Sequence, residues 1–263
     1  MQKTFKKNQK VVIFAGGYGT RLSEETERKP KPMVEIGDYP LLWHIMKQYS
    51  FYGCREFYIT LGYKSEMIKR FFHDYYILDG NMTIDLKKSR VVKAKGRRED
   101  WIVHLIDTGL HTQTGGRLKR LEPHLDGTFM LTYGDGVSDV NIKELMAFHR
   151  AHGKLATVTA VRPPARFGGL EFKGDRVVRF TEKPQIGEGW INGGFFVFEP
   201  EIFRYLQGDG SVLETEALER LAEEGQLMAY RHERFWQCMD TLRDKRILEK
   251  HWESGQAPWK LWK

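Results

Sequence analysis

The most constraining feature of this 263-residue sequence is an apolar segment that runs directly into a glycine-rich turn. Residues 11–15 (VVIFA) contain no polar side chain, and residues 16–21 (GGYGTR) follow at once. Such an apolar run is typical of a parallel strand that is buried on both faces of a sheet. Glycines at the end of the strand let the backbone approach an anion and aim N–H donors at it. The segment predicts an α/β fold with a nucleoside triphosphate bound beyond its first strand.

Basic residues near this turn strengthen the prediction of an anionic ligand. Arg21 ends the turn, and Lys29 and Lys31 are each followed by proline. The dinucleotide fingerprint G-x-G-x-x-G does not apply, because Leu22 stands where the third glycine is required. The P-loop pattern is also absent. An incidental tight turn is the alternative, and the coincidence of three glycines, an arginine and two Lys-Pro pairs argues against it.

Composition bounds the class of protein. The sequence has no apolar run long enough to span a membrane and no apolar segment typical of a signal peptide at its N-terminus. Its two cysteines are too few for a disulfide framework or a zinc site. These features predict a cytoplasmic protein without a membrane partner, in which both cysteines act as small apolar side chains.

The net charge of +7 is concentrated rather than spread. Residues 87–98 (KKSRVVKAKGRR) carry seven basic residues, no acidic residue and no aromatic residue on which bases could stack. We therefore interpret this stretch as a solvated hairpin or loop, or a subunit contact, and expect no nucleic-acid partner. Binding of nucleic acid or an acidic partner is the alternative.

The order of elements predicts one α/β domain. Strand and helix patterns alternate through residue 78, which favours a parallel sheet with right-handed crossovers. Residues 82–86 and 101–106 alternate like antiparallel strands, and later strands indicate a mixed, mainly parallel sheet flanked by helices. We interpret residues 1–10 as a basic extension and 11–263 as a single domain. Residues 11–160 form its nucleotide-binding half and residues 161–263 its half for the second substrate.

Two aspartates are candidate metal ligands because each follows a predicted strand. Asp135 lies between Gly134 and Gly136, directly after the buried strand 128–133. Asp240 ends the later strand segment FWQCMD. Two carboxylates at strand ends suit a magnesium ion that bridges phosphates. The alternatives are a turn-capping role for Asp135 and an N-cap role for Asp240 at the last helix.

Three further segments combine turn residues with polar side chains. Glu182 and Lys183 follow a strand and could bind a sugar and its phosphate, and Asn192 with Gly193 opens the next strand. Thr114-Gly115-Gly116-Arg117 begins a helix and could read the edge of a base. An ordinary turn or helix start is the alternative in each case.

Taken together, the ordered motifs resemble the sugar-phosphate nucleotidyltransferases. The similarity extends from about residue 11 to the end of the chain. Within that family they are similar to the subfamily that makes CDP-glucose. The matching segments are AGGYGTRLSEET, KPKPMVEIG, TGGRLKR, TYGDGVSD, RFGGL, EKP, INGGFFVFEP and FWQCMDTLRDK.

This resemblance implies a Rossmann-like nucleotidyltransferase fold of the glycosyltransferase-A type. It implies the Mg²⁺-dependent reaction of CTP with α-D-glucose 1-phosphate to give CDP-glucose and pyrophosphate, in the service of O-antigen and other cell-surface polysaccharide synthesis. It also implies a homo-oligomer, since family members form hexamers. The alternatives are the same reaction with dTTP, UTP or another phosphorylated acceptor, and a non-catalytic nucleotide sensor or polyanion-binding protein.

The resemblance also implies roles for individual residues. Arg21 and Lys31 would be catalytic, and Asp135 and Asp240 would hold the metal. The sugar phosphate would contact Glu182, Lys183, Asn192 and Gly193. The nucleotide would contact Ala15, Gly16, Gly17, Gly19, Thr20, Arg21, Lys31, Thr114, Gly115, Arg117 and Gly134.

Overall fold

The structure is a computed structural model that describes residues 9–75, 82–93, 99–163, 169–173, 176–181 and 189–262. Its strands are β1 (Lys10–Phe14), β2 (Glu35–Ile36), β3 (Tyr39–Pro40), β4 (Glu56–Leu61), β5 (Met82–Asp85), β6 (Arg90–Lys93), β7 (Ile102–Asp107), β8 (Phe129–Tyr133), β9 (Gly136–Ser138), β10 (Ala156–Val161), β11 (Gly169–Lys173), β12 (Arg176–Thr181), β13 (Ile191–Phe198), β14 (Leu227–His232) and β15 (Trp236–Cys238). Its α-helices are α1 (Ser23–Thr26), α2 (Leu41–Phe51), α3 (Ser65–Asp74), α4 (Thr114–Lys119), α5 (Ile142–His152), α6 (Glu219–Glu223) and α7 (Leu242–Glu253). A π-helix, Leu213–Leu218, leads into α6.

A seven-stranded sheet in the order β14-β10-β13-β8-β1-β4-β7 organises the chain. Strand β1 is parallel to both of its neighbours, β4 and β8, and only β13 runs against the others within this sheet. Because β13 lies between β8 and β10, the two halves of the sequence share one continuous sheet. The predicted mixed, mainly parallel α/β fold is confirmed.

The first strand is buried on both faces, as its apolar sequence predicts. Val11 and Ile13 pack into a core that contains helix α2, whereas Val12 and Phe14 pack into a second core that contains Leu118. Alternate side chains of a strand point to opposite faces, so a strand at the centre of the sheet must be apolar throughout. This position places the glycine-rich turn at the carboxyl end of the sheet, where ligands of open α/β sheets bind.

Residues 82–86 and 101–106 both contain strands, as predicted, but only the first lies in an antiparallel pair. Strand β5 forms a two-stranded hairpin with β6, whereas β7 joins the edge of the main sheet parallel to β4. An edge strand alternates in polarity whether its neighbour is parallel or antiparallel, so alternation did not reveal the partner. The β5–β6 hairpin confirms the predicted hairpin for the described part of the basic stretch, up to residue 93.

The structure changes several predicted boundaries. Strand β1 begins at Lys10, so the last residue of the predicted extension belongs to the sheet. The helix predicted to begin at Thr114 is short: α4 ends at Lys119, and a 3-10 turn follows at Glu122–His124. Cys54 and Cys238 are free, Cys54 is fully buried, and Cys238 is partly buried. In the described ranges, no helix is both long and apolar enough to cross a bilayer.

A buried histidine joins the C-terminal segment to helix α2. His44 is fully buried; its Nε2–H donates to the Ile36 carbonyl over 2.9 Å, and its Nδ1 accepts from Trp259 Nε1–H over 3.3 Å. Both contacts require the neutral ring, with the proton on Nε2. Burial lowers the pKa of His44 from 6.5 to about 4 and outweighs the carbonyl contacts that favour the charged form.

We expect His44 to make the protein sensitive to acid. The unfolded chain binds a proton near pH 6.5 and the folded chain only near pH 4, so the free energy of unfolding falls as the pH drops between these values. At pH 5 the loss is about 2 kcal/mol. Urea unfolding at pH 7 and pH 5 measures it. The His44→Gln variant should lose about 2 kcal/mol less than the wild type over this interval, and an equal loss in both proteins would contradict the assignment.

Candidate active site at the carboxyl end of the sheet

A cavity of about 610 Å³ lies where β1 and β8 end. The glycine-rich turn after β1, residues 110–114 and Tyr133 line it. The cavity has the size typical of a small-molecule site. Eleven of the predicted nucleotide and metal residues line it: Ala15, Gly16, Gly17, Gly19, Thr20, Arg21, Lys31, Thr114, Arg117, Gly134 and Asp135.

Arg117 lies beneath the glycine-rich turn rather than at its surface. Its side chain is buried, and its Nη2–H donates to the Gly16 carbonyl over 3.0 Å. Its Nη1 donates to the Leu61 carbonyl, the Thr108 hydroxyl and the Gly109 carbonyl over 2.7–3.1 Å. These partners follow or end three neighbouring parallel strands, β1, β4 and β7. The guanidinium therefore fixes the edge of the sheet on which the turn rests.

The same guanidinium explains the first glycine of the turn. A Cβ atom on Gly16 would lie 2.2 Å from Nη1 of Arg117, which is far inside contact distance. Burial lowers the pKa of Arg117 below its ordinary value, but an arginine stays charged in proteins. Carbonyl oxygens and the Thr108 hydroxyl stabilise the guanidinium charge. A ligand on the other side of the turn does not need to displace them.

These contacts change the interpretation of the segment that begins helix α4. Gly115 does not line the cavity: a Cβ there would lie 2.8 Å from the Ser211 carbonyl. The turn is held against residues 209–211 by backbone hydrogen bonds from Gln113 to Asp209 and from Gly116 to Ser211. Close packing thus accounts for the glycines, whereas Gln113, Thr114 and Arg117 line the cavity. A contact of Gly115 or Arg117 with a base stays a prediction.

Two basic and two acidic side chains form one charged cluster beside the cavity. Lys31 Nζ contacts Asp135 Oδ2 at 3.1 Å and also Asp240 Oδ1, and Arg21 Nη1 contacts Asp240 Oδ2 at 2.6 Å. Lys31 and Asp240 are each 7% exposed, whereas the Arg21 side chain is 74% exposed. The cluster thus joins a buried ion pair to an arginine that reaches solvent, and its formal charges cancel.

The cluster depends on a small ribbon that brings distant residues together. Strand β9 follows Asp135 and pairs in antiparallel fashion with β15, which precedes Asp240. The Met239 N–H donates to the Asp135 carbonyl over 2.7 Å. Asp240 is not the cap of α7, because Thr241 and Asp244 form the capping box there. The N-cap alternative for Asp240 is therefore wrong, and its carboxylate is directed to Arg21 and Lys31.

The two lysines of the Lys-Pro pairs have different surroundings. Lys29 forms an ion pair with Glu35 at 3.1 Å on the surface, whereas Lys31 is buried in the charged cluster. Burial acts to lower the pKa of Lys31, but the carboxylates of Asp135 and Asp240 outweigh it and raise the pKa above 10.5. Lys31 is therefore a permanently charged ammonium group at neutral pH.

The two aspartates suit a hard divalent cation. Oxygen atoms of both carboxylates contact a single positive centre, Lys31 Nζ, so they converge on one point. Magnesium takes one or two protein carboxylates and completes its shell with water and substrate phosphates. In the described part of the chain, no group of three or more His, Cys, Asp or Glu side chains forms a metal site. A divalent cation held by these two carboxylates would therefore need further ligands, such as water or phosphate oxygens.

The residues predicted for the second substrate are placed only in part. Glu182 and Lys183 lie outside the described residues. Asn192 is exposed, at the start of β13, and its Nδ2 donates to the Tyr133 hydroxyl over 3.3 Å. The Gly193 carbonyl accepts from Trp236 Nε1–H over 2.7 Å. Asn192 thus reaches the cavity through Tyr133, which lines it.

Sequence reasoning missed two polar residues at this junction. Tyr133 is the last residue of β8 and donates its hydroxyl proton to Glu214, which also accepts from Thr114. The position of Tyr133, two residues before Asp135 in a strand that enters the site, could have identified it. Glu214 gave no signal, because it belongs to an acidic helical segment that resembles a solvated face.

Comparison with known proteins identifies relatives across almost the full length of the chain. The chain is 51% identical over 255 residues to a glucose-1-phosphate cytidylyltransferase of Salmonella typhimurium, covering 96% of this chain and 99% of that protein. It is 42% identical to a probable glucose-1-phosphate cytidylyltransferase of Bacillus subtilis, covering 96% of this chain and 100% of that protein.

The fold is also found among solved structures. HddC from Yersinia pseudotuberculosis superposes with a TM-score of 0.69 at 22% sequence identity, covering 93% of this chain and 99% of that chain. At this identity the similarity establishes the fold alone. The sequence model of the family described as "Nucleotidyl transferase" matches residues 10–253, which include the glycine-rich turn and the charged cluster. The chain therefore belongs to the nucleotidyl transferase family.

Proposed function

We propose that this protein is an enzyme that transfers the cytidylyl group of CTP to α-D-glucose 1-phosphate, giving CDP-glucose and pyrophosphate. The observation that carries the proposal is the cluster of Arg21, Lys31, Asp135 and Asp240 beside a cavity lined by the glycine-rich turn. The choice of cytosine and glucose is supported by 51% identity to a glucose-1-phosphate cytidylyltransferase of Salmonella typhimurium.

The glycine-rich turn and its two cations bind the triphosphate in this proposal. Backbone N–H groups of residues 16–20 approach the phosphates, while Arg117 holds the opposite side of the turn in place. Arg21 and Lys31 neutralise charge on the phosphate that is attacked and on the pyrophosphate that leaves. Asp240 contacts both cations and holds them beside the cavity before a substrate binds.

The sugar phosphate supplies the nucleophile. A phosphate oxygen of glucose 1-phosphate attacks the α-phosphorus in line with the departing pyrophosphate. This oxygen is already anionic, so no general base is required, and catalysis consists of positioning and charge neutralisation. Lys183 and Glu182 are proposed to hold the phosphate and the sugar hydroxyls, with Asn192 and Gly193 beside them. Residues 11–160 then serve mainly the nucleotide, and 161–263 mainly the sugar phosphate.

Magnesium is the proposed cofactor. Asp135 and Asp240 would hold it together with phosphate oxygens, and the ion would neutralise negative charge on the phosphates when bound. In its absence, the Lys31 ammonium group lies between the same carboxylates and balances their charge. The resemblance to the subfamily further suggests a cytoplasmic homo-oligomer that supplies a nucleotide sugar for cell-surface polysaccharide.

The choice of substrates is tested by a matrix of nucleotides and acceptors. Pyrophosphate release is measured for CTP, UTP, dTTP, ATP and GTP, each with several sugar 1-phosphates and with Mg²⁺. We expect the pair of CTP and glucose 1-phosphate to give the highest kcat/KM. A higher value for dTTP or UTP would replace cytosine in the proposal, and no pyrophosphate release with any pair would reject the enzymatic function.

Replacement of either cation in the charged cluster should reduce turnover sharply. The loss of one contact that stabilises transition-state charge costs about 3–4 kcal/mol, so Arg21→Ala and Lys31→Ala should lower kcat about a hundred- to a thousandfold. Steady-state kinetics provide the measurement. The matched control is Lys29→Ala, which removes a neighbouring lysine paired with Glu35 on the surface and should leave kcat within about twofold. Wild-type turnover in Arg21→Ala would disprove its catalytic role.

The carboxylates are tested by their effect on magnesium dependence. Loss of a residue that merely hydrogen-bonds to a metal ligand typically weakens metal affinity about 10- to 100-fold. Loss of a ligand itself, in Asp135→Asn or Asp240→Asn, should therefore raise the Mg²⁺ concentration at half-saturation at least about tenfold. Activity is titrated with Mg²⁺ at fixed substrate concentrations. Asp126→Asn, which removes a surface carboxylate paired with Lys10 at 2.9 Å, is the control and should not shift the curve. Unchanged titration curves in both cluster variants would exclude the ligand role.

A further inference from the structure

A carboxylate outside the charged cluster links the two sides of the proposed active site. Glu214 Oε1 accepts a hydrogen bond from the Tyr133 hydroxyl over 2.5 Å, and its Oε2 accepts one from the Thr114 hydroxyl over 2.7 Å. Thr114 lines the nucleotide cavity, and the Tyr133 hydroxyl also accepts from Asn192 Nδ2 over 3.3 Å. One continuous path of hydrogen bonds therefore runs from Thr114 to Asn192.

Each bond along this path has a defined direction. Burial raises the pKa of Tyr133 above 10.0, and the Glu214 carboxylate raises it further, so the phenol keeps its proton and donates it to Glu214. The Thr114 hydroxyl donates to Glu214 and accepts from the Leu213 N–H over 3.0 Å. Asn192 Oδ1 accepts from the Gly194 N–H over 2.8 Å, which leaves the Asn192 amide N–H for Tyr133. If one of these hydrogen bonds reversed its direction, two donors would face each other at the next hydrogen bond of the path.

Two features of the backbone accommodate this path of hydrogen bonds. Gly194 has a φ of 77°, and a Cβ there would lie 2.6 Å from Cδ2 of the Tyr133 ring. Glu214 belongs to the π-helix Leu213–Leu218, a conformation that is rare and frequently found at functional sites. The ring therefore fits only because residue 194 is glycine. The segment that contains Asn192 and Gly193, predicted to contact the sugar phosphate, therefore also shapes the pocket of Tyr133 through Gly194.

We propose that Tyr133 and Glu214 are positioning residues that couple the binding of the nucleotide at Thr114 to the binding of the sugar phosphate at Asn192. This inference rests on the proposed function for the identity of the two substrates. Asn192 is exposed, and its 3.3 Å bond to Tyr133 is the longest along the path. A sugar hydroxyl that binds the Asn192 amide would hold this last, exposed bond in place, and would thereby restrict the motion of the Tyr133 side chain, of Glu214 and of Thr114.

Coupling follows because the two substrates share one ordering step. Binding of the first substrate restricts the motion of the side chains along the path, at a cost in conformational entropy. The second substrate then binds to side chains that are already restricted, so its own cost is smaller. By linkage, each substrate must then tighten the binding of the other by the same factor. Couplings of this kind typically amount to about 5- to 150-fold in affinity. Loss of the Tyr133 hydroxyl interrupts the path between its two ends and leaves the Thr114–Glu214 bond in place.

Isothermal titration calorimetry on the full chain tests the inference. The probe is the α,β-methylene analogue of CTP with Mg²⁺, titrated in the absence and in the presence of saturating glucose 1-phosphate. For the wild type we expect the sugar phosphate to lower the Kd of the analogue at least about fivefold. In Tyr133→Phe and Glu214→Gln the ratio should fall to near one, while the analogue still binds on its own.

A matched control separates coupling from a purely structural effect. Tyr205 donates its hydroxyl proton to Glu224 over 2.5 Å on an exposed surface, so Tyr205→Phe removes the same group from the same kind of pair outside the cavity. This variant should keep the wild-type ratio. Thr114→Ser, which retains the hydroxyl, should keep the ratio as well, whereas Thr114→Val should lose it.

The outcomes distinguish this inference from the proposed function. A wild-type ratio near one, or a wild-type ratio retained in Tyr133→Phe, would overturn the coupling even if the enzyme released pyrophosphate from CTP and glucose 1-phosphate. A uniform weakening of both substrates in Tyr133→Phe with an unchanged ratio would indicate a structural role only and would also overturn it. Absence of pyrophosphate release from every substrate pair would instead reject the function itself.

Discussion

The site depends on one buried guanidinium. Arg117 donates hydrogen bonds to oxygens that follow or end β1, β4 and β7, and it reaches the glycine-rich turn through the Gly16 carbonyl. Hydrogen bonds from a charged donor contribute more than neutral ones, about 1.5–3 kcal/mol each, and a lysine could not form this planar set. A turn of glycines has little conformational preference of its own. Arg117 supplies a fixed frame for this turn, and the proposed binding of phosphate depends on that frame.

The charged cluster has a different physical basis, since it balances charges that would be costly to bury alone. Lys31 and Asp240 are separated by 209 residues in sequence, yet both are almost completely buried and contact each other. Such a pair is tolerated because each charge compensates the other. Arg21, in contrast, is largely exposed while it contacts Asp240. An incoming triphosphate can therefore contact Arg21 first, before it disturbs the buried ion pair behind it.

The sequence predicted those parts of the molecule that depend on local pattern. The strand before the turn is apolar because it is buried on both faces, and Asp135 follows another such strand, so both could be placed at the same edge. The partner of β7 could not be inferred, because alternating polarity is the same beside a parallel or an antiparallel neighbour. The sequence alone does not distinguish a ligand role from a cap role for Asp240. The structure does, because Thr241 and Asp244 form the capping box of α7 without Asp240.

The glycine motifs illustrate why roles cannot be assigned from motifs alone. Glycines after Thr114 and after Asn192 both suggested a backbone that approaches a ligand. In the structure Gly115 is required by the Ser211 carbonyl, and Gly194 by the ring of Tyr133. Both glycines thus permit close packing within the protein. This packing orients the polar side chains of Thr114 and Asn192, which precede them in the sequence. A motif shared with a family can therefore mark the residues that position a contact as well as those that make it, and only long-range packing distinguishes the two.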